Sequence, residues 1–387
     1  MTEWQTVRLG EIVKTNQSTY SPKENWQFVN YLDTGNITMN KIDEIQNINT
    51  AKDKLPSRAR RKVKTNSIIY STVRPNQLHY GIIKKQPDNF LVSTGFTVID
   101  VNYDKAVPDF IYYALTKQEV TEQLQAIAEQ SVSAYPSLKP SDIENLEFML
   151  PDKKTQERIV AILRSIDEKI KENNAINNNL EQQAQAIYQQ MFIDNARSDW
   201  AEGTLSDIAD ITMGQSPNGS SYNEDGTGTI FFQGRAEFGF RFPSVRLYTT
   251  EPKRMARLND TLMSVRAPVG DLNVAHMDCC IGRGLAAIHS KSHHQSFVLY
   301  TMFSLKKQLD VFNGEGTVFG SINRNSLNDM PILIPSDDIL DEFERIVAPM
   351  DLTIRNNYDE NCRLQDIRDT LLPRLMSGEL DVSDIDL

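Results

Sequence analysis

The chain contains one pattern twice, and each copy ends in a long amphipathic helix. Trp4, Leu9 and Ile12 in WQTVRLGEI return with identical spacing as Trp200, Leu205 and Ile208 in WAEGTLSDI, 196 residues later. Farther on, Ser71-Thr72-Val73-Arg74-Pro75 is answered by Ser264-Val265-Arg266-Ala267-Pro268, and Phe110-Ile111-Tyr112-Tyr113 by Phe297-Val298-Leu299-Tyr300. Ser137, Leu138, Ile143, Leu146, Phe148, Leu150 and Pro151 match Ser321, Ile322, Leu327, Met330, Ile332, Ile334 and Pro335 at an offset of 184. Glu157-Arg158-Ile159-Val160 then matches Glu344-Arg345-Ile346-Val347. Loop insertions change such an offset without changing the order of the elements. So many ordered matches argue for a real duplication against a chance likeness of two apolar patterns.

The helices carry heptads. Apolar positions fall at Ile159, Leu163, Ile166 and Ile170, give way to Asn173 and Asn177, and resume at Leu180, Ala184, Ile187 and Met191. The second series runs Met350, Ile354, Asn357, Asn361, Leu364, Arg368, Leu371 and Leu375. Alternating steps of four and three mark a coiled-coil seam, where polar residues fix register. Because each asparagine pair lies at the middle of its seam, an antiparallel arrangement aligns Asn173 with Asn361 and Asn177 with Asn357. Connectivity agrees, since the first helix leads away to Trp200 and the second must return. A seam from Ile159 to Met191 implies a rod of about 50 Å at about 1.5 Å per residue. That exceeds one DNA turn of about 34 Å, long enough for two domains to address separated patches of a duplex. Pro349 is expected to start the second regular helix, and Pro373 to bend or end its last turns. Short β-branched runs between Gly, Asn and Pro turns predict bent strands around a small core. Further helices are expected over 109–129 and 296–312.

The net charge of −11 argues against a polyanionic partner until it is located along the chain. Residues 336–387 hold 5 basic and 14 acidic side chains, so most of the acidity lies there. Residues 51–85 instead hold ten basic residues against Asp53 alone, and residues 235–283 hold eight, among them Arg241, Arg246 and Arg283, against five acids. A basic run is commonly a solvated face, but recurrence at matching places in both copies favours phosphate contact. No apolar run reaches the roughly 18 residues that span a membrane, and the N-terminus lacks the order of a signal peptide, so the expected location is the cytoplasm. Three cysteines, two of them adjacent, do not form a disulfide framework.

Catalytic signatures are missing. There is no phosphate-binding GxxxxGK[ST] loop. Phe312-Asn313-Gly314-Glu315-Gly316 resembles an adenosylmethionine-binding loop, but it follows a predicted helix, and no Asn/Asp-Pro-Pro-aromatic tetrapeptide is present to hold a flipped base. His276, Cys279, Cys280 and His289 match no common zinc spacing. No catalytic residue, metal ligand or cofactor is therefore assigned to this chain.

Over nearly its whole length the chain resembles the specificity (HsdS) subunits of type I restriction-modification systems. The resemblance rests on the two domain-plus-helix repeats, the run from Leu150-Pro151 through Gln156 to Ile170, MGQSP at 213–217 leading to Phe232-Gln233-Gly234, and the ending LLPRLMSGELDV at 371–382. It implies an α+β chain in which two similar target-recognition domains are joined and separated by two long helices forming an antiparallel intramolecular coiled coil. The expected boundaries are 1–152 for the first domain, 153–195 for the first spacer helix, 196–337 for the second domain, and 338–387 for the second helix with its acidic tail. In this family each domain reads one half of a split double-stranded DNA target. The helices also dock two methyltransferase (HsdM-type) subunits, and restriction/translocase (HsdR-type) subunits join them. S-adenosylmethionine, ATP and Mg belong to those partners.

Arg58, Arg60, Arg61, Lys62, Lys64 and Arg74 in the first domain, with Gln233, Arg235, Arg254, Arg257 and Arg266 in the second, are the expected DNA contacts. Arginine can take guanine bidentately, glutamine can read adenine, and lysine holds phosphates. Tyr135 and the matching Gly320-Ser321 loop are expected near DNA as well. Two competing readings are a self-contained DNA methyltransferase or nuclease, and a coiled-coil scaffold with no DNA role.

Overall fold

The computed structural model describes residues 4–131, 136–314, 320–383 and 385. By packing, the chain forms two units, Met1–Lys171 with Asn361–Leu387, and Glu172–Glu360. Both long helices, Lys153–Tyr188 and Asp337–Met376, contribute residues to each unit.

In the first unit, a four-stranded antiparallel sheet has the order Val13–Thr15, Phe96–Val101, Ile68–Ser71, Tyr80–Ile82. Successive side chains alternate between faces, so consecutive apolar residues of its central strands can be buried on both sides. Ile68, Tyr70, Ile99 and Val101 enter one core, where they meet Phe110, Ile159 and Leu163, while Ile69, Phe96 and Val98 enter another. A second sheet has the order Gln46–Asn49, Phe28–Leu32, Phe90–Ser93, Ala59–Lys62, with Phe28–Leu32 and Phe90–Ser93 parallel. Gln5–Arg8 pairs with Glu147–Leu150 and closes the domain.

The second unit repeats this plan. Ala209–Met213, Leu285–Ser290, Thr261–Ser264 and Leu272–Val274 form a sheet of the same order, with Met263 and Ile288 on one core and Leu262 and Ala287 on another. Thr229–Phe232 and Cys279–Ile281 supply the parallel pair, and Ala201–Thr204 pairs with Pro331–Ile334. The likeness extends to single hydrogen bonds. Leu9 N donates to Leu146 O at 2.8 Å and Leu205 N to Met330 O at 2.9 Å; Leu138 N donates to Thr72 O at 2.7 Å and Ile322 N to Val265 O at 3.0 Å. Trp4 lies against Gly378, whose left-handed φ of +77° closes the distal helix. The Trp200 ring lies tilted against that of Phe192, at the end of the central helix, with centroids 6.0 Å apart.

The two helices run antiparallel in each unit. Ile159 and Leu163 share a core with Leu371, Leu375 and Met376 in the first, and Ala184 and Tyr188 share one with Leu340, Phe343 and Val347 in the second. On the second unit's seam, Asn357 Nδ2 donates to Asn177 Oδ1 at 2.8 Å and Asn173 Nδ2 to Glu360 Oε2 at 2.8 Å.

Three local expectations are corrected. The distal helix begins at Asp337 and continues without a break past Pro349. An interior proline costs about 3 kcal/mol, which the buried stripe of Leu340, Phe343, Val347 and Ile354 on either side of it outweighs. The helix expected over 109–129 breaks into Pro108–Leu115 and Gln118–Glu129. At the break Thr116 Oγ1 donates to Tyr113 O at 3.2 Å, a side-chain bond that competes with the helical ladder. The helix expected over 296–312 is likewise Gln295–Ser304, then Lys306–Asp310 and a 3-10 turn.

Candidate DNA interface

In the second unit, three chain segments meet so closely that only glycine fits between them. A Cβ on Gly214 would sit 2.1 Å from Gly282 O, and a Cβ on Gly282 or Gly284 would sit 2.8 or 2.9 Å from Gln233 O. Backbone bonds lock the junction: Gln215 N to Ile281 O at 3.0 Å, Gly282 N to Phe232 O at 2.8 Å, Ile281 N to Arg254 O at 2.9 Å and Val265 N to Gly284 O at 2.9 Å. Arg283 N donates to Ser216 Oγ at 3.3 Å. The exposed side chains of Gln215, Gln233, Arg254, Arg266 and Arg283 therefore stand on one rigid platform. Donors that are fixed, cationic and not already bound to carboxylates suit the recognition of phosphates and base edges.

The first unit builds the same junction with other residues. Thr72 N donates to Gly95 O at 2.8 Å, as Val265 N does to Gly284 O, and the parallel strands align Leu32 with Phe232 and Val92 with Ile281. Asp33 thus occupies the place of Gln233, and Thr94 that of Arg283. Asp33 is held by Thr34 N at 2.9 Å and by Tyr31 Oη at 3.0 Å. Burial alone would raise its pKa, but hydrogen bonds from Thr34, Ser93 and Tyr31 and the charge of Arg58 hold its carboxyl below the ordinary range. Burial pushes the Tyr31 hydroxyl up to about 12, so it remains a donor.

A family model for the type I restriction modification DNA specificity domain matches residues 1–182. The type I restriction enzyme HindI specificity subunit of Haemophilus influenzae is 26% identical, over 98% of this chain and 100% of its own length. The solved HsdS subunit of Thermoanaerobacter tengcongensis is 30% identical over 97% of each chain, with a TM-score of 0.43. The chain belongs to the type I specificity subunits. The fold recurs in the S subunit of a type I system from M. genitalium, at a TM-score of 0.60 and 16% identity over 99% of this chain and 97% of that one.

Within this specificity subunit the expected contact residues divide by environment. Arg58, Lys64 and Arg74 are exposed in the first unit, while Arg60, Arg61 and Lys62 on strand Ala59–Lys62 are half-buried. Lys62 is neutralised by Glu24 and lies 5.0 Å over the Trp26 ring, and Lys64 is 3.6 Å from Asp100. Burial holds the Arg61 pKa below its ordinary value. In the second unit Arg235 is tied to Asp271 at 2.9 Å, and Arg257 lies 3.3 Å from His289 Nε2. Arg254, Arg266 and Arg283 form no ion pair among the described residues. Tyr135 lies outside the described residues, as do Glu315 and Gly316 of the glycine loop.

Two members of the sequence's second basic cluster serve other ends in the specificity subunit. Arg246 faces Glu237 at 3.2 Å and Glu224 at 3.5 Å. Arg241, only 4% exposed, is a core residue that donates to Tyr300 Oη at 3.1 Å and forms ion pairs with Glu181 at 3.1 Å and Asp351 at 3.5 Å. It completes an anchor present in both units. Tyr300 donates to Asp351 at 2.9 Å, as its counterpart Tyr113 donates to Asp167 at 2.7 Å, where the cation is Arg368 at 3.2 Å. Burial pushes both tyrosine hydroxyls well above their ordinary range, which keeps them donors.

His276 pairs with Asp359 at 2.7 Å and His289 with Asp260 at 2.6 Å, while Cys279 and Cys280 are buried strand residues. Sequence reading missed another group: His293 and His294 Nε2 each lie 2.9 Å from Asp341 Oδ1 and join the start of helix Gln295–Ser304 to the distal helix. Hydrogen bonds from His294 and His293 hold the Asp341 carboxyl below its ordinary range.

Proposed function

We propose that each target-recognition domain reads one half of a split, asymmetric double-stranded DNA sequence, and that this chain thereby directs adenine methylation and restriction carried out by partner subunits. The supporting observation is the pair of loop junctions: strands in matching register and the matching amide bonds of Thr72 to Gly95 and of Val265 to Gly284, carrying Asp33 and Thr94 in one unit and Gln233 and Arg283 in the other. A shared scaffold carrying different side chains suits two unlike half-sites. Catalysis then belongs to two methyltransferase subunits docked along the helices and to restriction/translocase subunits, which bring S-adenosylmethionine, ATP and Mg. Among the described residues no helix is long and apolar enough to cross a membrane, and the proposed location is the cytoplasm with the DNA.

The test is co-expression with the methyltransferase subunit encoded beside this chain, followed by single-molecule mapping of methylated adenines. One split motif that disappears when this chain is omitted supports the reading. An assembled complex that writes no motif overturns it in favour of a scaffold, and adenosylmethionine binding by the isolated chain would favour a self-contained methyltransferase.

A further inference from the structure

Arg283 was not among the sequence-expected DNA contacts, yet its backbone is closely held. It stands between Gly282 and Gly284, both pressed against the Gln233 backbone, and its own amide is held by Ser216. Its neighbours on either side are bonded to Phe232 and Val265, so the Cα has little freedom to shift. Arg235 and Arg246 spend their guanidinium groups on acids, whereas Arg283 forms no ion pair among the described residues. An unpaired guanidinium on a fixed base keeps its two-pronged fork available, and guanine O6/N7 is the base edge that matches it.

We propose that Arg283 is a specificity-determining residue of the second domain, reading a guanine next to the base addressed by Gln233. The assignment rests on the DNA-reading role proposed above. It also accounts for the unlike halves, since the equivalent position in the first domain is Thr94, which has no fork.

The experiment maps methylation motifs written by the co-expressed complex for wild type, Arg283→Ala, Arg283→Thr and Arg283→Lys. The expected result is that all three variants still methylate. One guanine, or its complementary cytosine, becomes degenerate in a single half-site, its discrimination falling roughly tenfold to a hundredfold, and the other half-site is unchanged. An intact wild-type motif with Arg283→Ala and Arg283→Thr overturns the assignment. So does recovery of the full motif by Arg283→Lys, which keeps the charge without the fork and would indicate a phosphate contact. Loss of methylation with every variant would mark Arg283 as structural and overturn it as well. Absence of any motif from wild type is the separate outcome that removes the DNA-reading role itself, and this assignment with it.

Discussion

Replacing Arg241 by methionine should destabilise the second unit and do so in a pH-dependent way. The guanidinium sits among Glu181, Asp351 and Tyr300 and lies 5.7 Å over the Tyr300 ring. Removing one partner of a fully buried ion pair costs about 3–5 kcal/mol, because the remaining charge is left without compensation. Glu181 and Asp351 keep side-chain exposures of 16% and 22%, so water relieves part of that cost. Methionine also restores some of the packing, which leaves an expected loss of roughly 3 kcal/mol. For a unit of this size, about 2–4 °C per kcal/mol gives a fall of roughly 6–12 °C in its calorimetric transition. Burial raises the pKa of both Glu181 and Asp351, with Arg241 opposing the rise. Without Arg241 the two folded-state values climb further above their unfolded ones. A carboxyl with a raised folded-state pKa favours the fold below its unfolded pKa and loses that contribution as pH rises through the folded value. The penalty should therefore be largest near pH 7.5 and shrink toward pH 5. Scanning calorimetry of both proteins at the two pH values measures it, and a shift below about 1 kcal/mol, or one equal at both pH values, refutes the reasoning.

Tyr113→Phe removes the donor to Asp167, a hydrogen bond to a charged group worth about 1.5–3 kcal/mol, and urea unfolding should show that deficit. On the seam, Asn177→Leu alone strands Asn357 Nδ2, while the Asn177→Leu/Asn357→Leu pair restores an apolar layer; a double-mutant cycle should give a cost for the pair smaller than the sum of the two singles. Arg254→Ala/Arg266→Ala should weaken DNA binding by the assembled complex and lower its salt slope, by about 0.9 for each phosphate that is no longer neutralised. Lys62→Ala, whose charge is already neutralised by Glu24, should leave that slope unchanged in the same titration.

The duplication and the helices were legible because they write themselves as periods: heptad steps along the seam, and ordered motifs such as Ser71–Pro75 and Ser264–Pro268. The break at Thr116 was not, since it depends on a hydroxyl choosing the Tyr113 carbonyl over solvent. Nor was the passage of a helix through Pro349, where burial of the flanking stripe decides against local propensity. Around the loop junctions, the basic count grouped side chains whose settings differ. Arg241 and Arg283 contribute equally to such a count, yet one is a core cation and the other an exposed side chain between two glycines. Only long-range packing separates them: Tyr300 and Glu181 around the first, Phe232 and Gly234 beside the second.

The two tyrosine anchors also differ in who supplies the cation. At Asp167 it is Arg368, carried by a spacer helix, so at this anchor the first domain supplies a tyrosine hydroxyl and no cation. At Asp351 it is Arg241, carried by the domain itself. A foreign domain grafted into the second position without a buried cation would face Glu181 and Asp351 uncompensated. A grafted domain should thus meet a stricter electrostatic requirement at the second position than at the first. New specificities should enter this scaffold more readily through its first half.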